Sequence, residues 1–263
     1  MVMDILLLIV GLVLIIAGAN YLTEGASALA GRLGVSDLVI GLTVVAIGTS
    51  MPEMVVSVMS ALEGNSAMAI GHVVGSNMFN TLVILGVTAL IMPLTLSKGV
   101  IRRDIPFGVM ASLVLLIMTS DMLLDGAGHA EISRSDGILL LLFFVIFIVY
   151  TLSSSKRTVV SKVIQDEDGS VKKLGPIGWL MAVMIVGGLA GLVIGGELFL
   201  DSAVSIAESL GVSQSVIAVT LVAGGTSLPE LATSVTAAIK KKAGIALGNV
   251  IGSNITNIFL VLG

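Results

Sequence analysis

The chain reads as an all-α integral membrane protein made of two inverted-topology repeats of transmembrane helices, with broken helices at the bilayer midplane. Three observations predict this. Of 263 residues, 56% are hydrophobic and 11% charged, with a mean hydropathy of +1.12, which leaves too little polar surface to cover a water-soluble globule. Residues 18–86 and 195–263 align without a gap at an offset of 177 and agree at 29 of 69 positions, so one structural unit is written twice. The best-kept stretches are polar ones inside apolar runs: Gly48-Thr49-Ser50-Met51-Pro52-Glu53 against Gly225-Thr226-Ser227-Leu228-Pro229-Glu230, and Gly75-Ser76-Asn77-Met78-Phe79-Asn80 against Gly252-Ser253-Asn254-Ile255-Thr256-Asn257.

Apolar runs long enough to cross a hydrocarbon layer of roughly 30 Å fall at 5–23, 38–62, 67–96, 105–120, 137–152, 177–200, 214–239 and 243–263, about eight spans with the last cut short. The first run ends in Ala17-Gly18-Ala19, which resembles a cleavage site, but it lacks a positive leading segment and carries Asp4. Its counterpart at 177–200 lies inside the second half, so it is read as a span. The second and seventh runs carry the Gly-Thr-Ser-x-Pro-Glu stretches, and the third and eighth the Gly-Ser-Asn stretches. The fourth and fifth are unbroken apolar segments.

Residues 1–152 are therefore the first repeat, with five spans and its polar motifs within 41–86. Residues 153–176, rich in Ser, Lys and Asp with Gly169 and Gly175 as breakers, form a linker. Residues 177–263 are the second repeat, with three spans and motifs within 218–263; two more spans are expected beyond Gly263, the chain reading as a fragment or a shortened variant. Basic residues collect in alternate loops: Arg32; Lys98, Arg102 and Arg103; the 153–176 segment; and Lys240, Lys241 and Lys242. Because cytoplasmic loops accumulate Lys and Arg, the amino terminus is placed outside and the 153–176 loop in the cytoplasm. An odd number of spans per half then requires the second half to be inverted. The net charge of −4 carries no basic surface for nucleic acid, and with no cysteine there is neither a disulfide framework nor a thiolate metal site.

Pro52 has no amide hydrogen, so the carbonyl of Gly48 loses its helical donor and the helix opens there; Pro229 and Gly225 do the same in the second half. Carbonyls of Ala46 and Ala223 and of the residues after them, and the hydroxyls of Thr49, Ser50, Thr226 and Ser227, thereby become available to a ligand. Ser50, Glu53 and Ser57 share one helical face, as do Ser227, Glu230 and Ser234. A carboxylate at the bilayer centre costs about 2.5–3.5 kcal/mol on insertion scales, and no Lys or Arg sits at that depth to neutralise Glu53 or Glu230. Protons or bound cations must balance them, and oxygen-only surroundings suit hard cations such as Na⁺ and Ca²⁺. Ser76 and Asn80, like Ser253 and Asn257, add neutral oxygens at i, i+4 spacing. The pairs Gly71/Gly75 and Gly248/Gly252 allow close helix approach. Asn77 and Asn254, one step round from the ligand face, are expected to bridge or cap helices. His72 stands where the second half has Asn249 and is expected to be a helix-end residue, with pH sensing as the alternative. Glu24, Glu197 and Asp201 lie at span ends and read as interfacial.

These stretches resemble the alpha repeats of the cation/Ca²⁺ antiporter family, most closely its Na⁺/Ca²⁺ exchanger branch. The resemblance implies a fold of two inverted five-helix halves and an antiporter in which Na⁺ moving down its gradient drives Ca²⁺ the other way by alternating access. It implies Glu53 and Glu230 as central Ca²⁺ ligands, assisted at Thr49 and Thr226. Sodium sites would draw on Ala46, Ser50, Ser76, Asn80, Ala223, Ser227 and Ser253 with the glutamates. Asn257 replaces the Asp of several relatives, including K⁺-dependent ones, which argues against K⁺ coupling. The implied partners are Ca²⁺ and Na⁺ as substrates and the lipid bilayer of the cell membrane, without cofactor or obligate protein partner. The nearest alternative is a Ca²⁺/H⁺ antiporter on the same fold; a cation channel is more distant. A membrane-embedded hydrolase lacks its catalytic pair: there is no intramembrane Asp dyad, Ser-His pair or His-x-x-x-His.

Overall fold

The computed structural model describes residues 2–120, 132–155, 178–213, 217 and 223–263. Most of the expected linker, the acidic residues Asp121, Asp125 and Glu131, and nearly all of 214–222 lie outside the described residues. The described elements are helical throughout: α1 (Val2–Leu33), α2 (Asp37–Thr49), α3 (Met51–Leu62), α4 (Ser66–Ile91), α5 (residues 100–118), α6 (Arg134–Ser155), α7 (Gly178–Ser209), α8 (Ala223–Gly225), α9 (Leu228–Ile239) and α10 (Ala243–Val261). Five of these are long and apolar enough to cross a membrane, and α2 with α3, bent by 46°, pass the same test together and count as a sixth when taken as one broken span. The remaining two predicted runs hold α5 and the shorter apolar helix α9.

The boundaries follow local chemistry. α1 and α7 run well past their apolar cores and stop at Gly34 and Gly211, equivalent residues at φ +66° and +78°, where the left-handed conformation closes a helix and glycine has no Cβ to object. Asn65 caps α4 by accepting from the Met68 amide at 3.1 Å. The same helix stops at Ile91 rather than at the expected residue 96. Met92 precedes Pro93 and is extended at φ −144°, ψ 128°, as the steric demand of the proline ring requires. Ser133 and Asp136 exchange backbone and side-chain bonds at the start of α6, a capping box. Within the long helices the backbone widens into π turns at Gly41–Val45, Asn80–Ile84, Val100–Asp104 and Asn257–Val261.

Polarity is distributed inside out relative to a soluble protein. Large apolar side chains such as Val13, Leu142 and Val186 are 54–66% exposed, while Thr49, Ser50, Glu53, Ser76, Asn80, Ser227, Glu230, Ser253 and Asn257 are buried. Outward apolar groups face lipid without cost, and the polar groups gather where they can satisfy one another.

Glycine seams set the helix packing. A Cβ on Gly11 would lie 2.7 Å from the Phe199 nitrogen, and one on Gly18 2.7 Å from the Gly188 oxygen and 2.8 Å from the Leu192 nitrogen. Rising numbers on α1 thus meet falling numbers on α7, and these two equivalent helices run antiparallel. Gly244, Gly248 and Gly252 of α10 meet Leu38, Leu42 and Ala46 of α2 in parallel order, fulfilling the expectation for Gly248 and Gly252. For Gly71 and Gly75 no described residue lies within 4 Å; the segment equivalent to α2, residues 214–226, is mostly outside the described set. Phe107, Phe143 and Phe147 of α5 and α6 form a cluster with Phe259 of α10, with centroid separations of 5.3–6.2 Å.

Two consequences are measurable by thermal unfolding in detergent. Gly18→Ala must push α1 off α7 and is expected to cost about 1–3 kcal/mol, whereas Gly31→Ala, which meets nothing within 4 Å, should be neutral or stabilising by up to about 1 kcal/mol. Lys241, an exposed non-glycine residue at φ 59° in the α9–α10 turn, matches Gly64 at φ +77° in the first half. Lys241→Gly should therefore raise stability by about 0.5–1 kcal/mol, the cost of the left-handed conformation less the added freedom of the unfolded chain.

Candidate functional site

The kinks build the site. Ser50 (φ −81°, ψ 7°) and Ser227 (φ −88°, ψ 8°) leave helical geometry just before Pro52 and Pro229, and each new helix starts with its glutamate in the first turn. There the exposed amides and helix dipole favour negative charge. Glu53 and Glu230 are both fully buried, at 0% exposure.

The two halves are laced together through these carboxylates. Ser227 donates to Glu53 Oε1 at 3.1 Å and Ser50 donates to Glu230 Oε1 at 3.2 Å, so each glutamate is held by the kink serine of the other half. Ser76 adds a second bond to Glu53 Oε1 at 3.3 Å and lies 3.1 Å from Ser227 Oγ. Its equivalent, Ser253, makes no such bond to Glu230. No ion pair reaches either glutamate among the described residues.

Six oxygens of the predicted set are buried and have no hydrogen-bond partner among the described residues: Glu53 Oε2, Glu230 Oε2, Asn80 Oδ1, Asn257 Oδ1, Thr226 Oγ1 and Ser253 Oγ. An unpaired buried acceptor is costly, and groups of this kind carry lone pairs that suit a hard cation. Asn80 and Asn257 both stand at the first position of a π turn, a local widening that recurs at functional sites. The Ala46 carbonyl still accepts from the Ser50 amide at 3.1 Å, so the kink does not strip it of its helical partner as expected. The side chain of Ala223 lies outside the described residues. No group of three or more His, Cys, Asp or Glu forms among the described residues, so neutral oxygens surround the two carboxylates.

Sequence reasoning missed the role of Asn249. Buried at 0% exposure, it accepts from Thr49 Oγ1 at 3.1 Å and donates to the Glu230 carbonyl at 3.2 Å and Ser234 Oγ at 3.0 Å, tying the first kink to the second glutamate's backbone. Its spacing of i, i+4, i+8 with Ser253 and Asn257 was the available signal. At the equivalent position His72 is partly buried and its Nε2 has no partner among the described residues, like the Thr226 and Ser57 hydroxyls. Asn77 and Asn254 bridge helices as expected, Asn77 Nδ2 donating to the Asn254 carbonyl at 3.1 Å. Glu24 forms an ion pair with Lys240 at 2.6 Å. A cavity of about 980 Å³ lies away from the glutamates, between α4, α5 and α10, with Asn77, Thr81 and Asn254 among its few polar walls.

The family model described as sodium/calcium exchanger protein matches residues 3–153 and 180–263. The putative antiporter CaxA of Alkalimonas amylolytica is 37% identical over 263 residues, covering 100% of this chain and 80% of that protein. The inner membrane protein YrbG of Escherichia coli is 37% identical over 264 residues, covering 98% and 77%. The sodium/calcium exchanger MaX1 of Methanosarcina acetivorans is 34% identical over 291 residues, covering 99% and 81%. Among solved structures, the sodium-calcium exchanger NCX_Mj soaked with Na⁺ and Sr²⁺ matches with a TM-score of 0.83 at 32% identity, over 99% of this chain and 81% of that one. Its form soaked with Na⁺ and Ca²⁺ matches with a TM-score of 0.82 at 33% identity, over 100% and 81%. By composition, fold and these likenesses the chain is a multi-pass membrane protein that belongs to the sodium/calcium exchanger protein family, a family of membrane ion antiporters.

Proposed function

We propose that this protein exchanges Na⁺ for Ca²⁺ across the cell membrane by alternating access, with the cations held between Glu53 and Glu230. The observation that carries the reading is the pair of buried carboxylates, each with one oxygen bonded to the opposite half and the other without a partner among the described residues. Their formal charge of −2 is balanced by one Ca²⁺ or by two Na⁺, so the two ions compete for one site. Thr49, Thr226, Ser50, Ser227, Ser76, Ser253, Asn80 and Asn257, with the carbonyls of Ala46 and Ala223, supply the neutral oxygens. The NCX_Mj structures soaked with Na⁺ and with Ca²⁺ or Sr²⁺ support this choice of ions.

The amino terminus faces outside, and the 153–176 loop and the Lys240–Lys242 turn face the cytoplasm. Residues 1–152 and 177–263 are the two inverted repeats. In support, α1 and α7 run antiparallel, and Arg32, Lys240 and Lys242 gather near one end of α1, where Lys240 pairs with Glu24 and Lys242 donates to Ser27 at 2.7 Å. One net charge moved per cycle would couple transport to the membrane potential by about 2.3 kcal/mol per 100 mV.

Proteoliposomes loaded with Na⁺ and diluted into Na⁺-free buffer are expected to take up ⁴⁵Ca²⁺, and those with only a pH gradient are not. Uptake driven by the pH gradient alone would transfer the same glutamates to Ca²⁺/H⁺ exchange. Glu53→Gln or Glu230→Gln leaves a bound Ca²⁺ with one uncompensated charge. By the roughly 3 kcal/mol that such a charge costs at this depth, uptake should fall about a hundredfold. The cation-free variants should melt no earlier than the wild type, since a buried unpaired carboxylate has been removed. Normal transport by either variant would remove the glutamates from the site.

A further inference from the structure

The two ends of an asparagine amide have nearly the same shape, yet one accepts and the other donates. A cation is drawn to Asn80 and Asn257 only if their oxygens are the ends left free. Two hydrogen-bond chains decide this, and each starts at a backbone carbonyl, which can only accept.

In the first chain, the Asn254 carbonyl takes a bond from Asn77 Nδ2 at 3.1 Å. That fixes the Asn77 amide with Oδ1 on its other side, where it accepts from Asn257 Nδ2 at 3.1 Å. Asn257 Nδ2 also donates to Ser76 Oγ at 3.2 Å. The amide nitrogen of Asn257 is thereby fully committed, and its buried Oδ1 is the end without a protein partner. In the second chain, Thr81 gives its single hydroxyl proton to the Asn77 carbonyl at 2.8 Å. Its oxygen can then only accept from Asn254, which presents Nδ2 at 2.8 Å. Asn254 Oδ1 faces the other way and accepts from Asn80 Nδ2 at 3.1 Å, and Asn80 Oδ1 is again the buried, unpartnered end.

We propose that Asn77, Asn254 and Thr81 are positioning residues that lock the side-chain amides of Asn257 and Asn80 oxygen-inward, and so set cation affinity without touching the ion. The arrangement is reciprocal, because each half's asparagine orients the ligand of the other half. It is also asymmetric. The residue equivalent to Thr81 is Ile258, so Asn257 is held through one asparagine and Asn80 through an asparagine and a hydroxyl relay. Thr81 borders the cavity between α4, α5 and α10, and valine matches threonine in shape, so Thr81→Val removes the hydroxyl without adding bulk.

This inference rests on reading Asn80 and Asn257 as cation ligands, and the test separates the two claims. Full-length wild type, Thr81→Val and Thr81→Ser are purified in detergent. Half-saturating Na⁺ and Ca²⁺ concentrations are read from thermal stabilisation, with choline and Mg²⁺ as controls, and maximal Na⁺-driven ⁴⁵Ca²⁺ uptake is measured in proteoliposomes. Thr81→Val removes the relay and is expected to weaken half-saturation about tenfold, with the cation-free melting temperature and maximal uptake near wild type; Thr81→Ser should restore the wild-type affinity. Unchanged affinity in Thr81→Val, a loss confined to maximal rate, or a Ser variant as weak as the Val variant would overturn the positioning role. Wild type that binds cations but does not exchange them would sink the transport reading while the affinities still test the clamp. Absence of any cation response in wild type would overturn both.

Discussion

Everything in this protein is arranged around two carboxylates that have been taken out of water without a counter-charge. In a low-dielectric interior such groups repel each other and lack hydration, and no lysine or arginine pairs with either among the described residues. The protein supplies partial compensation only. Each glutamate stands in the first turn of its own helix, serines donate to one oxygen of each, and the other oxygen of each has no partner among the described residues. A fully satisfied pair would be a structural salt bridge and could not release its partner. In the proposed exchange, this incomplete satisfaction is what lets a cation bind favourably and still leave.

That requirement explains the glycine content of the central helices. For serines of one half to reach the glutamate of the other, backbones must approach to van der Waals contact. Gly244, Gly248 and Gly252 do this for α10 against α2, where a Cβ would fall 2.6–2.8 Å from backbone or Ala46 atoms. The same close approach brings Asn249 within reach of Thr49 across 200 residues of sequence. The outer helices have the opposite character, with apolar faces to lipid and a phenylalanine cluster joining α5 and α6 to Phe259.

Much of this was legible in the sequence because its causes are local or repeated. Pro52 and Pro229 forecast both kinks, the period of the serines and glutamates forecast one polar face, and the duplication forecast paired contributions. The exact ends were less legible: α1 extends to Leu33 because its amphipathic tail packs on α7 and the α9–α10 turn, contacts that periodicity within one segment does not report. The π turns at Asn80 and Asn257 were invisible, since a widened turn uses the same residue types as an α-helix. The role of Asn249 is hidden in the sequence because its partners Thr49 and Glu230 come together through packing and not through spacing. The Ala46 carbonyl was expected to open, but helix geometry persists to Thr49 and keeps it bonded.

The glycines that loosen the two kinks are also sockets. Built onto Gly48, a Cβ would collide at 2.6 Å with Leu189, and on Gly225 at 2.5 Å with Leu200. Both leucines belong to α7, eleven residues apart, so a single helix plugs the hinge of each half. A side chain placed on either glycine would press on the same helix, so the kinks of the two halves share one wall.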